Sequence, residues 1–207
     1  MNKMKLFKKV LAVALVGAMA VSMLTACGDS TKTADIKNAL KDAGVKTTTT
    51  LNTEAKNAAA KLDTLTQKID KQELSLSNDK DVGTIVTEMQ GMNDFSFSNN
   101  SSAPYDLYIW TNGVANQQNS GHNYPYLMKL QQRHINATVL KRILSKNFIR
   151  QGEFKGTSAD LNNLEALLKK STDVKSVGIS CKKIYGYDVL LVAVPSTTQI
   201  DQTPAGE

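Results

Sequence analysis

Leu51, Ala55, Ala58, Leu62, Leu65 and Ile69 recur at alternating intervals of four and three, which puts them on one stripe of a helix. Asn52 is read as the cap of that helix. The alanines in the stripe would let a neighbouring element approach closely. The run ends at Gln72, short of the three or four heptads of a sustained coiled coil. Packing on its own domain is therefore one reading, and an oligomerising or scaffold seam is the other. A shorter helix precedes it, with Ile36, Leu40 and Ala43 at helical spacing, Thr33 as cap, Asp35 in the first turn and Gly44 as the stop. Val82, Ile85, Val86 and Met89 define a third, opened by Asn78 to Asp81 and closed by Gly91.

From Phe95 the pattern changes. Phe95 and Phe97 alternate with serines, Tyr105 to Trp110 reads as a strand, and Asn112-Gly113 is a hairpin signal. Val114 to Gly121 is polar and reads as a surface loop. Pro125 suits the first turn of a helix running to about Lys146, with Met128, Ile135, Val139 and Ile143 on one face and Leu130, Ala137, Leu140 and Leu144 on another. Such a helix would be central, because it is apolar over a wide arc. Thr157 or Ser158 caps a last helix carrying Leu161, Leu164, Leu167 and Leu168, with Lys169 and Lys170 at its negative end. Lys175 to Lys183 alternates as a half-buried strand, Tyr185-Gly186 turns, and Val189 to Val194 is an interior strand ended by Pro195. This order predicts a single α+β domain, several helices packed on a small antiparallel sheet, closing with a C-terminal β-hairpin.

The first residues form a separate unit. Lys3, Lys5, Lys8 and Lys9 precede the apolar run Val10 to Met23, and Leu24-Thr25-Ala26-Cys27 follows. A basic start and a short apolar run form a secretory signal, and the run falls short of the roughly 20 apolar residues of a spanning helix. Residues 1–27 resemble a bacterial lipoprotein signal with its lipobox. The resemblance implies cleavage between Ala26 and Cys27, a diacylglyceryl thioether on the Cys27 thiol with palmitate-type chains, and a domain held to the membrane lipid on the extracytoplasmic face of the cell membrane. Two acyl chains give stable anchoring where one is marginal. The layout is then 1–26 signal peptide, 27–33 lipidated N-terminus and spacer, 34–195 domain, and 196–207 flexible tail.

Processing changes the charge argument. The chain carries +6 formally, with 25 basic and 19 acidic residues. Four of the basic residues and none of the acids lie before Cys27, so the remainder is nearly balanced and gives no case for nucleic acid. Beyond Cys27 the one cysteine is Cys181, in phase with Val177 and Ile179, and reads as a buried thiol. Val174 to Val194 is similar to the closing hairpin of the CAP, or SCP-like, extracellular domain, with a Val-Gly-Ile strand, a glycine turn and an apolar strand. That family's site uses two histidines and two acids, and this chain has no matching set.

Candidate chemistry is sparse. No HExxH, CxxC, GxSxG, Walker or GxGxxG motif occurs, and no cofactor or metal is implied. Asp79, Asp81 and Glu88 miss the spacing of a calcium loop, since Gly83 and Glu88 come early. His134 falls in a polar helical arc, and His122 sits in the polar loop beside Tyr124. Aromatics cluster between Phe95 and Tyr126 among Asn99, Asn100, Asn112, Asn116, Gln117, Gln118, Asn119 and Asn123. Ring faces against sugar C–H groups, with amides to bond hydroxyls, would suit a neutral glycan. The ligand-binding candidates are Tyr108, Trp110, Asn112, His122 and Tyr124. A second bias is basic: seven Lys and Arg residues lie from Lys129 to Lys155, against Glu153 alone. That run could meet anionic polymer or headgroups. The sequence thus reads as a lipid-anchored binding domain for cell-envelope material, leaning away from an enzyme. A hydrolase pairing His122 with a carboxylate such as Asp106 is the catalytic alternative.

Overall fold

The computed structural model describes residues 31–92, 103–112, 125–130, 137–170, 174 and 176–197. The expectations for residues 1–30, for Phe95 and Phe97, for His122, Tyr124 and His134, and for 198–207 lie outside these. In chain order the elements are α1 (Thr31–Asp42), α2 (Thr49–Asp70), α3 (Asp79–Gln90), β1 (Tyr105–Thr111), β2 (Tyr126–Leu130), α4 (Ala137–Ile143), α5 (Lys146–Gln151), α6 (Ser158–Lys170), β3 (Gly178–Ile184) and β4 (Tyr187–Pro195). The sheet is antiparallel in the order β2-β1-β4-β3. The α+β class and the closing hairpin are as the sequence predicts.

Alternation along the strands divides the core in two. Leu107, Ile109, Leu191 and Ala193 face α2 to α5, packing with Ala55, Ala58, Leu65, Ile85, Met89 and Phe148. Tyr108, Trp110, Leu190, Val192 and Val194 face the other way, toward Ile36 and Leu40 of α1 and Leu164 and Leu167 of α6. The sheet therefore lies between two helical layers. β4 is central and buried on both faces, as its unbroken apolar run requires.

The α2 stripe is core. Leu51, Ala55, Ala58, Leu62 and Leu65 are all buried, so they form no oligomer seam. The approach is closest at Gly178, where a Cβ would stand 2.0 Å from the Leu51 carbonyl oxygen. Only glycine lets the α2 backbone lie that near to β3. At the other end of β3, Tyr185 (φ 51) and Gly186 (φ 85) make a two-residue turn with both centres left-handed, the twist-matched kind for a hairpin.

Three expectations need correction. Residues 126–130 are a strand, paired Trp110 to Leu127 and Tyr108 to Lys129, and the predicted helix from Pro125 to Lys146 is instead β2 followed by the short α4 and α5. The alternation Leu127, Lys129 against Met128, Leu130 fits β1's two faces, and that pairing outweighs the helical period. Second, α1 begins at Thr31, so residues 31–33 belong to the domain and not to a spacer. Third, Thr33 and Asn52 are not caps. Thr48 caps α2 through Leu51 N–H, while Asn52 Oδ1 accepts from Ile179 N–H at 2.9 Å. Thr33 Oγ1 accepts from Cys181 N–H at 2.9 Å and donates to the Cys181 carbonyl at 3.3 Å.

These last bonds have a common purpose. β3 is an edge strand, and an edge offers unpaired backbone groups to other chains. Here Val177 N–H donates to the Lys46 carbonyl and its carbonyl accepts from Thr48 N–H. Asn52 then serves Ile179 and Thr33 serves Cys181. The linker and two polar side chains so occupy the outward groups of alternate residues down most of the strand.

Candidate functional site

The five residues picked for ligand binding do not assemble into one site among the described residues. Trp110 is 1% exposed, and its ring meets Phe154 edge-on at 5.1 Å between centroids. Its Nε1–H donates to Asn112 Oδ1 at 3.1 Å, and Asn112 Nδ2 donates to the Glu153 carbonyl at 2.8 Å. This relay ties the end of β1 to the loop after α5. Tyr108 is buried beside it in the same core layer. Both rings are packed on protein, and no face is left for a sugar. Asn112 is half-buried and its amide is already used.

Asp106 is also inside. It is 2% exposed, and Lys129 Nζ from the neighbouring strand lies 2.6 Å from its Oδ2. That contact is ionic in distance but off the hydrogen-bond direction. A paired, buried carboxylate next to a core tyrosine is a packing device on the β1–β2 edge. The suggested acids of the third helix are likewise engaged: Asp81 accepts from Ser75 N–H at 2.9 Å, Asp79 faces Lys141, and Glu88 holds Lys61 and Lys68 of α2. The Lys61 contact leads in holding the Glu88 carboxyl below its ordinary range. No group of three metal-ligating side chains occurs among the described residues.

A cluster of ionic side chains that the sequence does not announce lies at the hairpin end of the sheet. Asp188 opens β4, directly opposite Lys183 of β3, and its side chain is 4% exposed. Lys32, from the first turn of α1, places Nζ 2.5 Å from Asp188 Oδ2 and 3.4 Å from the Phe154 carbonyl. Lys183 Nζ stands 3.3 Å from the same carboxylate. The hydrogen bond to Asp188 is the largest cause of a raised Lys32 pKa, with burial opposing it. Lys183 remains 64% exposed. The same end carries Lys146, whose Nζ lies 5.8 Å from the Tyr185 ring, and Tyr185 Oη donates to the Leu144 carbonyl at 3.2 Å. Two lysines on one buried carboxylate leave a cationic rim. A lysine in α1 and an aspartate in β4 are 156 residues apart, so no local motif signals their meeting.

No family model, no curated protein and no solved structure matches this chain. Among the described residues no helix is long and apolar enough to cross a membrane.

Proposed function

We propose that the chain is a bacterial lipoprotein, anchored through diacylglycerol on Cys27 at the extracytoplasmic face of the cell membrane. In this reading its α+β domain binds cell-envelope material and is not an enzyme. The run Leu24-Thr25-Ala26-Cys27 behind a lysine-rich start and a short apolar stretch carries the proposal. Tyr108 and Trp110 serve the core, so a glycan site would rest on His122, Tyr124 and the amides around them. An anionic polymer would meet the basic residues between Lys129 and Lys155.

Mass spectrometry of the cell-made protein tests the anchor. The mature N-terminus should be Cys27 bearing diacylglyceryl mass, and Cys27→Ala should remove that mass and release the chain from the detergent phase. An unmodified Cys27 overturns the reading. Co-sedimentation with purified wall material tests the ligand class. Tyr124→Ala should weaken it if glycan is bound, and salt should weaken it if polyanion is bound. Absence of sedimentation removes both ligands.

A further inference from the structure

The hairpin end of the sheet gathers six basic side chains, and it is also the end from which α1 starts. Lys32, Lys146, Arg150, Lys155, Lys182 and Lys183 lie in α1's first turn, α5 with its following loop, and the β3–β4 hairpin. Contacts tie these segments together. Lys32 lies against Gly156, Phe154 N–H donates to the Asp188 carbonyl, and Lys146 reaches Tyr185. Three of the acids here are engaged: Asp188 is buried between Lys32 and Lys183, Asp63 pairs with Lys182 at 3.1 Å, and Asp160 accepts from Thr157 N–H at 3.2 Å. Asp35, Asp70 and Glu153 remain. Lys146, Arg150, Lys155 and Lys183 are exposed.

The reach of the chain fixes which end nears the bilayer. Thr31 is four residues beyond Cys27, and at about 3.5 Å per residue it lies within about 14 Å of the lipidated sulfur by any path. Strand β4 runs nine residues from this end to Pro195, or about 30 Å at the usual rise. This end is therefore the one tethered close to the bilayer, and the opposite end lies about 30 Å further along the strand. Charges act over a Debye length of about 8 Å at physiological salt.

We infer that the hairpin end docks on anionic phospholipid headgroups, with Lys146, Arg150, Lys155 and Lys183 as the contacting cations and Lys32 held back by Asp188. Docking would fix the orientation of the anchored domain and turn its Thr48–Gly178 end away from the membrane. This rests on the anchor proposed above. Each basic residue near such a surface is worth about fivefold in the balance between docked and lifted domain. Losing four would abolish docking.

The test uses the cell-made lipoprotein in vesicles of phosphatidylcholine alone or with phosphatidylglycerol, the latter carrying a headgroup quencher. A fluorophore is placed on Asn147→Cys, beside the patch, or on Thr50→Cys, at the far end; native Cys181 is buried. Anionic vesicles should quench position 147 several-fold more than position 50. Added salt should relieve it, as should Lys146→Gln, Arg150→Gln, Lys155→Gln and Lys183→Gln combined. Equal quenching at both positions, or quenching indifferent to salt and to the four changes, overturns the docking. A chain that floats with vesicles and carries acyl mass but shows no quenching at 147 overturns docking alone. A chain with neither flotation nor acyl mass removes the anchor as well. Soluble polyanion protecting residue 147 on neutral vesicles, with no quenching on anionic ones, would reassign the patch to polymer.

Discussion

The two faces of the sheet are held by different means. On one, α2 lies almost against β3, and its buried stripe is alanine and leucine with no charge inside. On the other, the short α1 contributes Ile36 and Leu40 and is otherwise pinned through Lys32 to Asp188 and Thr33 to Cys181. The charged residues buried in the described domain, Asp106 and Asp188, are both on this second face, at opposite ends of the sheet. Apolar contact is cheap to extend along a 22-residue helix. A 12-residue helix with few apolar positions needs directional bonds to fix where it sits. The difference teaches that α1, the described element nearest Cys27 along the chain, is the one whose seat depends on charge.

Breaking the second face at its largest ring should have the largest effect. Trp110→Ala removes the partner of Phe154 and frees Asn112, and should lower stability by about 3–5 kcal/mol. Denaturant unfolding measures this, and binding to wall material, scaled to folded protein, should not change. On the first face Gly178→Ala drives a methyl into the Leu51 carbonyl and should cost about 3 kcal/mol. Amide exchange should show the loss at the start of α2 and leave α6 protected. Lys32→Met leaves the Asp188 carboxylate with Lys183 alone and should cost about 2 kcal/mol. Lys169→Ala, which breaks an exposed pair with Glu165, should cost under about 0.5 kcal/mol. If the two lysine changes cost the same, the buried pair has no special role in seating α1.

The smallest effects come from pH and separate the faces by sign. Glu88 links α3 to α2, and its pKa is lowered from 4.5, first by the hydrogen bond from Lys61. Its contribution is full above pH 4.5 and is lost as pH falls through the depressed value. The Lys32 pKa is raised from 10.5, first by Asp188. Its contribution is full below pH 10.5 and is lost as pH rises through the raised value. Acid should therefore loosen α3 against α2, and strong base should loosen α1. Exchange protection of the two helices at the two extremes checks this, and loss in the reverse order would refute the assignment.

Much of the fold was legible because its signals are local. The stripes of α1 to α3, the polar Asn78–Asp81 start of α3 and the Tyr185-Gly186 turn all formed where the pattern placed them. Of Thr157 and Ser158, both offered as the cap of the last helix, Thr157 takes the role, exchanging hydrogen bonds with Asp160. Residues 126–130 misled because Tyr-Leu-Met-Lys-Leu satisfies both periods, and only the partner β1 breaks the tie. The aromatic site misled for a related reason. Composition counts rings, but it does not reveal which side of a strand faces a neighbour.

The sequence by itself determined the helical faces and the closing hairpin, since each depends on residues a few positions apart. Tertiary structure decided the rest. It turned Thr33 and Asn52 from helix caps into guards of the β3 edge. It buried Trp110 against Phe154, and it joined Lys32 to Asp188 across most of the chain. Hydrogen bonds and ion pairs act over a few ångströms, so their partners are set by how the chain folds back and not by its order.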